Sequence, residues 1–397
     1  MEWIKYLGAL LVILLLVVGM GCTQPDSTPD SSNVDQPQEG DDESVVDGVN
    51  IDEELAEIVD EFELPALAAL VFDGEEVVAK GAVGLRSVAS DEEVSDEDPF
   101  HIGSCTKPMT ATLVGRLSEN GDVSMEATLE ELFPTLAGEG MHEDYRSVTM
   151  ADLLRHEAGL PESLAASWPE LWDEMWERGN QDVAGMRQEV ASQLLDEAPA
   201  NEVGKFHYSN AGYIIAGAAM EQATDSTWED LMEEEVFSPL GMERCGFGAP
   251  ATPGEVDAPW GHQGAAGQVT AVSPGPQADN PPGLGPAGTV HCSLRDWMRF
   301  AAVHVGEGPQ GYLDESTLEK LHRPGDGDYV AGWNKLHRDW GHGAVLNHAG
   351  SNTMFYATAW LASSRDMGIL MATNAAHEAA PAGLDRVAEV MIDKFFD

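Results

Sequence analysis

Residues 101–117 read HIGSCTKPMTATLVGRL and contain the most informative pair of side chains in the chain. Ser104 and Lys107 stand three residues apart at the predicted start of a helix, so both side chains lie on one helical face. There the Lys107 ammonium can hydrogen-bond the Ser104 hydroxyl, and an amine held close in a dry site can help to remove the hydroxyl proton. Pro108 supports this placement, because proline is tolerated in a first helical turn. The stretch therefore predicts a serine nucleophile at a helix N-terminus, where the dipole favours developing negative charge.

A second polar motif precedes an apolar helical run in residues 206–220, FHYSNAGYIIAGAAM. Tyr208 beside an ammonium is expected to have its phenolate favoured, because a nearby opposite charge stabilises the charged form. Tyr208 can then act as a proton shuttle, while the amide of Asn210 can donate to a substrate carbonyl. The G-x-S-x-G and H-E-x-x-H motifs of other hydrolases do not occur in the sequence.

A third motif, His348-Ala349-Gly350-Ser351, stands before a predicted strand. A glycine at position 350 would let a substrate lie against the strand edge. The backbone N–H of Ser351 can then complete an oxyanion hole with the N–H of Ser104. The three motifs together predict an acyl-transfer site.

The motifs S-x-x-K, Y-S-N and H-x-G, in this order and at these separations, resemble those of class C β-lactamases and their relatives. These relatives include serine esterases, D-stereospecific aminopeptidases and D-alanyl-D-alanine carboxypeptidases. Further stretches are similar to family segments, with Ala158 where serine is usual: VTMADLLRHEAGLP at 148–161, VFSPLGMERCGFG at 236–248 and PAGTVHCSLRDWMRF at 286–300. The resemblance covers nearly the whole chain from about residue 51 to its end.

The resemblance implies a role for each motif residue. Ser104 would be the acylated nucleophile and Lys107 its activating partner. Tyr208 would be the general base for acylation and the general acid for the leaving group. Asn210 would contact the acyl amide or ester of the substrate, and the N–H groups of Ser351 and Ser104 would hold the oxyanion. The implied fold is α+β and β-lactamase/transpeptidase-like, with an antiparallel sheet flanked by helices and a mostly helical second lobe. The resemblance implies no cofactor.

His348 departs from the family pattern, because true β-lactamases typically carry lysine there. A neutral imidazole pairs less well with the carboxylate of a penicillin or a D-alanine terminus. We therefore expect a serine hydrolase that forms an acyl-enzyme on Ser104 and cleaves carboxylic esters or small D-amino-acyl amides. The alternatives are a penicillin-binding peptidoglycan peptidase or weak β-lactamase, and then a non-catalytic binding protein.

Both ends of the folded region predict one sheet. Residues 51–64 have helical apolar spacing, and residues 65–85 read as a hairpin around Asp73-Gly74. Residues 354–375 read as two more strands, and residues 383–396 as a closing helix. The segment between about 110 and 235 is mostly helical and would form a separate lobe.

Two segments between these elements stand out. Trp168, Trp172 and Trp176 are spaced one turn apart, and packing into the helical lobe is favoured over a substrate wall. Residues 249–288 are rich in glycine and proline, and such long loops are typical of functional rims, here over the active site. For His156 a packing role is favoured over a functional one.

The charge balance and the N-terminus indicate the protein's surroundings. The chain has 20 Lys and Arg against 70 Asp and Glu, for a net charge of −50, which argues against nucleic acid as a partner and favours a surface that stays hydrated in high salt. Residues 1–21, with an apolar run from 7 to 21, are predicted to be a signal peptide. Cys22 would then be lipidated, 22–48 would be a disordered acidic tether, and 49–397 would be the hydrolase domain. An uncleaved membrane anchor is the alternative, and both place the enzyme outside the cytoplasm on a membrane.

Three other cysteines leave the disulfide pairing open. Cys105, Cys245 and Cys292 allow one disulfide in three pairings, with Cys105 favoured as a small buried helix residue. His342 and His348 have no carboxylate or cysteine at a useful spacing, so no metal site is expected.

Overall fold

A computed structural model describes residues 48–396, which form thirteen strands and fourteen α-helices. The strands are β1 Val49–Asn50, β2 Ala66–Asp73, β3 Glu76–Gly84, β4 Pro99–His101, β5 Cys245–Phe247, β6 Gly261–Gln263, β7 Thr270–Val272, β8 Val290–Ser293, β9 Tyr329–Val330, β10 Trp333–Arg338, β11 Gly343–Ser351, β12 Tyr356–Ala362 and β13 Met367–Thr373. The helices are α1 Asp52–Phe62, α2 Thr106–Asn120, α3 Leu129–Leu132, α4 Pro134–Glu139, α5 Met150–Leu154, α6 Leu164–Ser167, α7 Pro169–Arg178, α8 Val183–Asp196, α9 Asn210–Thr224, α10 Trp228–Met232, α11 Gly285–Gly288, α12 Leu294–Val305, α13 Glu315–Leu321 and α14 Ala380–Phe395.

The main sheet joins strands from both ends of the described chain. Its order is β1-β3-β2-β13-β12-β11-β10-β9, and every neighbouring pair is antiparallel except β1 with β3. The predicted hairpin around Asp73-Gly74 is confirmed as β2 and β3, and the predicted C-terminal strands are β12 and β13. The predicted sheet is therefore confirmed, with one short parallel pair at its edge.

Strand β2 is buried on both of its faces. Leu67, Ala69 and Val71 belong to an apolar cluster with α1 and α14, whereas Leu70 and Phe72 belong to the larger cluster that includes α12. Because successive strand residues point to opposite faces, helices covering both faces make every position of β2 from 66 to 72 apolar. This accounts for the continuous apolar run of ALAALVF in the sequence.

The middle of the chain forms the predicted helical lobe, in which α9 is the central element. Helix α9 is buried along most of its length, and α5, α8, α10 and α11 pack around it. Arg187 of α8 is fully buried and pairs with Glu221 of α9 at 2.5 Å and with Glu229 of α10. A buried cation requires such partners, so this ion pair joins three helices of the lobe.

The structure selects one of the three possible disulfide pairings. Cys245 and Cys292 are bonded to each other and stand directly opposite on β5 and β8 of a small three-stranded sheet. Cys105 is a buried free thiol, as favoured from the sequence, and burial raises its pKa. Cysteine at position 105 therefore acts as a small buried residue.

The predicted signal peptide, the lipidation site Cys22 and nearly all of the tether at 22–48 lie outside the described residues. Between residues 48 and 396, no helix combines the length and the apolar character that crossing a membrane requires.

Candidate active site

Ser104 lies in a tight turn directly before α2. The turn is a 3-10 helix, Gly103–Cys105, and Gly103 has a φ of +52°, in the left-handed region. A Cβ atom on Gly103 would lie 2.3 Å from the backbone nitrogen of Ser351, so only glycine fits there. The turn thereby brings the backbone of the Ser104 segment against the end of β11.

Lys107 is fully buried, with its ammonium nitrogen beside the Ser104 hydroxyl. Its Nζ donates to Ser104 Oγ at 2.9 Å and to the carbonyl oxygen of Ala287 at 2.7 Å. Burial lowers the pKa of Lys107 from 10.5 to about 7. A large fraction of Lys107 is therefore an uncharged amine near neutral pH, and an uncharged amine can accept a proton.

Tyr208 reaches the same hydroxyl from the helical lobe. Its phenolic oxygen lies 3.1 Å from Ser104 Oγ, and Lys107 Nζ lies 5.1 Å from the centre of its ring. Burial raises the pKa of Tyr208 to about 12, although its hydrogen bond to Ser104 acts in the opposite direction. The sequence-based expectation of a favoured phenolate is therefore wrong. Burial disfavours the charged phenolate, and it also disfavours the charged ammonium of Lys107 that was expected to stabilise the phenolate.

His156 holds Tyr208 in place. Its ring centre lies 4.3 Å from that of Tyr208 and 4.6 Å from that of Tyr329, and its Nδ1 accepts the backbone N–H of Ser209 at 3.1 Å. Burial keeps the pKa of His156 well below its usual value, so its imidazole is neutral. His156 therefore has the packing role favoured from the sequence, and it packs against Tyr208, which contacts Ser104.

His348 lies on β11 with its side chain buried. Its Nδ1 is 2.7 Å from the carbonyl oxygen of Ala349, and its Nε2 is 3.0 Å from the hydroxyl of Tyr329. Because a carbonyl only accepts, Nδ1 carries the proton and Nε2 accepts the Tyr329 hydroxyl. Burial lowers the pKa of His348 to about 3, so this position offers no positive charge to a substrate. Its direct contact with a substrate stays a prediction.

Gly350 is required by the nucleophile turn. A Cβ atom at position 350 would lie 2.1 Å from the carbonyl oxygen of Ile102 and 2.5 Å from the backbone nitrogen of Ser104. This close approach requires glycine whether or not a substrate binds, and the expected binding of a substrate along the strand edge stays a prediction. The close approach places the backbone of Ser351, an exposed residue, beside the Ser104 turn.

Asn210 is the first residue of α9, directly after Tyr208-Ser209. Its side chain is half-buried, so part of it is accessible to solvent. The contact with a substrate that the motif implies stays a prediction.

Sequence reasoning missed two contributors to the site. Tyr329 lies in the two-residue strand β9, where no local pattern marks it as functional. The carbonyl oxygen of Ala287 accepts from Lys107, and backbone groups carry no residue-specific signal. In the sequence, only the family-like stretch at 286–300 pointed to this part of the chain. Because Ala287 also belongs to the loop 249–288, its contact with Lys107 shows that the end of this predicted rim lies against the site.

A cavity of about 690 Å³ lies between α7 and the glycine- and proline-rich loop. Trp176 of α7 and Phe247 of β5 are among its lining residues, as is Asn280 of the loop. A Cβ on Gly288 would lie 3.5 Å from both the side-chain nitrogen of Asn280 and the carbonyl carbon of Gly103. Gly288 thus stands between the cavity wall and the nucleophile turn. No group of acidic, histidine or cysteine side chains within residues 48–396 is arranged to hold a metal ion.

Comparison with known proteins identifies the family of this chain. The family model described as Beta-lactamase matches residues 51–391. Penicillin-binding protein 4 of Amycolatopsis lactamdurans is 27% identical over 291 residues, which cover 72% of each chain. Esterase EstB of Burkholderia gladioli is 26% identical over 355 residues, 79% of this chain and 87% of the esterase. The octameric penicillin-binding protein homologue from Pyrococcus abyssi superposes with a TM-score of 0.69 at 19% identity, covering 85% of this chain and 76% of that one.

The structural likeness confirms the predicted β-lactamase/transpeptidase-like α+β fold, and the family match confirms the predicted relationship. The Ser104 hydroxyl, the buried amine of Lys107 and the Tyr208 hydroxyl meet within hydrogen-bond distance in that fold. The chain therefore belongs to the Beta-lactamase family and is a serine hydrolase.

Proposed function

We propose that this enzyme hydrolyses carboxylic esters or small D-amino-acyl amides through a covalent acyl-enzyme on Ser104. One observation carries the proposal: Ser104 Oγ lies 2.9 Å from Lys107 Nζ and 3.1 Å from the Tyr208 hydroxyl. A hydroxyl held between a base and an acid can be acylated and can then expel a leaving group.

The two neighbours divide the proton transfers according to their pKa values. Lys107, with a pKa of about 7, accepts the Ser104 proton as Oγ attacks the substrate carbonyl. The resulting oxyanion is held by the N–H groups of Ser104 and Ser351. Tyr208, with a pKa of about 12, remains a phenol and passes a proton to the departing oxygen or nitrogen. The proton on Lys107 restores the phenol. In deacylation Lys107 takes a proton from the attacking water, and Ser104 Oγ receives a proton from Tyr208 as it leaves the acyl group.

The character of position 348 favours uncharged leaving groups. His348 is neutral and its Nε2 is engaged by Tyr329, so it lacks the ammonium that would attract a carboxylate. The relative named as an esterase supports ester substrates, and it aligns with 79% of this chain. The relative named as a penicillin-binding protein supports the alternative, a peptidoglycan peptidase or weak β-lactamase.

A substrate panel tests the proposal. The purified domain is incubated with a nitrophenyl acetate, a D-amino-acyl nitroanilide and a chromogenic cephalosporin, and a fluorophosphonate probe is mapped by mass spectrometry. We expect the probe on Ser104 and turnover of the ester or the amide. Lasting cephalosporin acylation without turnover would favour the penicillin-binding alternative. Absence of both a Ser104 adduct and any turnover would refute the hydrolase.

The activity is expected to depend on pH through Lys107. Only the uncharged amine accepts a proton, and its fraction increases as the pH rises through about 7. The value of kcat/KM should therefore rise about tenfold per pH unit below 7 and level off above 8. Initial rates between pH 5 and 9, corrected for spontaneous ester hydrolysis, measure this profile. A profile that is flat, or that falls as the pH rises, would contradict Lys107 as the base.

The cavity beside Gly288 is proposed to receive the acyl group of the substrate, with Trp176 as one wall. Trp176 is half-buried and lines the cavity. Replacing Trp176 with alanine should lower kcat/KM for a phenylacetyl ester roughly tenfold through lost apolar contact, and should leave the acetyl ester within twofold. Trp176→Phe is the control, and it should retain most of the wild-type difference in kcat/KM between the phenylacetyl and the acetyl ester. Equal losses on both esters would place the acyl group elsewhere.

The location of the enzyme is proposed from sequence alone. The apolar run at 7–21 and Cys22 support export and membrane attachment by lipidation or by an uncleaved anchor. The net charge of −50 supports function at high salt.

A further inference from the structure

A buried carboxylate on the glycine- and proline-rich loop contacts both segments that carry the oxyanion donors. Asp279 Oδ1 lies 2.6 Å from Nε2 of His101 and accepts a hydrogen bond from Nδ2 of Asn352 at 3.1 Å. Asp279 is 8% exposed, His101 is 0% exposed and Asn352 is 2% exposed. Each partner lies next to one of the two segments that would hold the oxyanion.

His101 connects Asp279 to the Ser104 turn. The backbone N–H of Gly103 donates to His101 Nδ1 at 3.0 Å, so Nδ1 carries no proton and the imidazole proton resides on Nε2. Nε2 lies in close contact with Asp279 Oδ1, at 2.6 Å, without the geometry of a hydrogen bond. Gly103 immediately precedes Ser104, so this hydrogen bond fixes the backbone one residue before Ser104.

Asn352 connects Asp279 to the other donor, Ser351. Its side chain oxygen accepts the backbone N–H groups of Met354 and Phe355 at 3.1 and 2.9 Å, which fixes the turn after β11. Its nitrogen donates to Asp279. The position of Ser351, one residue earlier, therefore depends on the same carboxylate as the position of Ser104.

We propose that Asp279 is a positioning residue that sets the separation between the N–H groups of Ser104 and Ser351. This inference rests on the proposed acyl-enzyme function. An oxyanion exists only in the transition state and in the tetrahedral intermediate, so a misplaced donor lowers kcat and leaves KM nearly unchanged.

The energetics support a role beyond attaching the loop. Asp279 Oδ2 is buried, and no partner between residues 48 and 396 donates a hydrogen bond to it. A buried carboxylate with one oxygen that lacks a hydrogen bond destabilises the fold. Apolar side chains could attach the loop without this cost. The hydrogen bond from Asn352 and the 2.6 Å contact of His101 Nε2 both end on Oδ1, so one carboxylate oxygen links the two segments.

Asp279→Ala is the first test, with two readouts. Hydrolysis of the best ester should lose roughly 100-fold in kcat with KM within threefold, because displacing an oxyanion donor has an effect of that order. Affinity for a boronic acid inhibitor, which forms a tetrahedral adduct on serine, should fall in parallel with kcat. Asp296→Asn is the matched control: Asp296 is also a buried carboxylate, but its hydrogen bonds go to Arg244 and Arg299, so its kcat should stay within twofold.

A reciprocal exchange keeps the test decisive if the alanine variant folds poorly. Asn352→Asp keeps the acceptor for the turn but sets two carboxylates against each other, and should reduce kcat roughly 100-fold. In the double variant with Asp279→Asn, position 279 supplies the donor and position 352 the acceptor. Its kcat should be at least tenfold higher than that of Asn352→Asp alone.

A kcat within threefold of wild type in a folded Asp279→Ala or Asn352→Asp enzyme would overturn the inference, as would a loss confined to KM. A lower kcat without weaker boronic acid binding would also overturn it. In each of these three cases Ser104-dependent turnover would persist. Wild-type turnover in Ser104→Ala would instead refute the proposed function itself.

Discussion

Replacement of Ser104 with alanine is expected to lower kcat/KM for a nitrophenyl ester by at least about 10⁴-fold. Without Oγ no acyl-enzyme forms, and Lys107 and Tyr208 lose the atom that both contact, at 2.9 and 3.1 Å. The residual rate would come from the oxyanion donors acting on bound water. Initial rates with the purified variant measure the loss, and fluorophosphonate labelling should disappear with it.

Ser351→Ala provides the matched control for this substitution. Ser351 is exposed and its role uses only the backbone N–H, while its hydroxyl accepts from the backbone of Thr353 in the turn that follows. Its kcat/KM should remain within about fivefold of wild type, because the N–H is retained. Ester turnover in Ser104→Ala within tenfold of wild type would show that another group is the nucleophile.

Replacement of Lys107 with methionine is expected to lower kcat about 10³-fold or more. The methionine fills a similar volume and is compatible with full burial, but it cannot accept the Ser104 proton or donate to Ala287. General-base removal typically costs 10²–10⁴-fold, and the loss of the hydrogen bond that orients Oγ adds to it. The rise of activity with pH through about 7 should vanish in the variant, because the titrating amine is gone.

Lys320→Met serves as the control, since Lys320 lies on α13 and is paired only loosely with Glu126, at 3.9 Å. Its rates and pH profile should match those of wild type. Circular dichroism and thermal unfolding of both variants separate a folding defect from a chemical one. A folded Lys107→Met enzyme with wild-type kcat would leave proton transfer to Tyr208.

Local patterns in the sequence were sufficient for much of the fold. Alternating and continuous apolar runs marked β2, β3, β12 and β13, because each strand presents both faces to covering helices. The Asp73-Gly74 pair marked the hairpin, since such turns need residues that tolerate the required backbone angles. The small strands β5 and β8 were missed, because their pairing partners are distant in the chain and their runs are only three or four residues long. Strands β6 and β7 pair locally but are only three residues long each.

The site, like the fold, has features that local sequence patterns predict and features that depend on distant parts of the chain. The spacing of Ser104 and Lys107 predicts their contact, because a helical turn sets it by local geometry. The three motifs together indicate the family that the comparison establishes. The expectation of a phenolate at Tyr208 was wrong, because the pKa depends on how neighbours from the whole fold exclude water from the phenol.

The sequence by itself determined the family and the contact between Ser104 and Lys107, the predicted nucleophile and its amine partner, because these depend on short spacings and on residue identity. Only the tertiary structure decided which cysteines pair, why position 350 must be glycine, and that Asp279 reaches His101 and Asn352. Each of these depends on backbone segments that approach one another from distant parts of the chain. Such approaches result from packing the whole core, and no local pattern of residues encodes them.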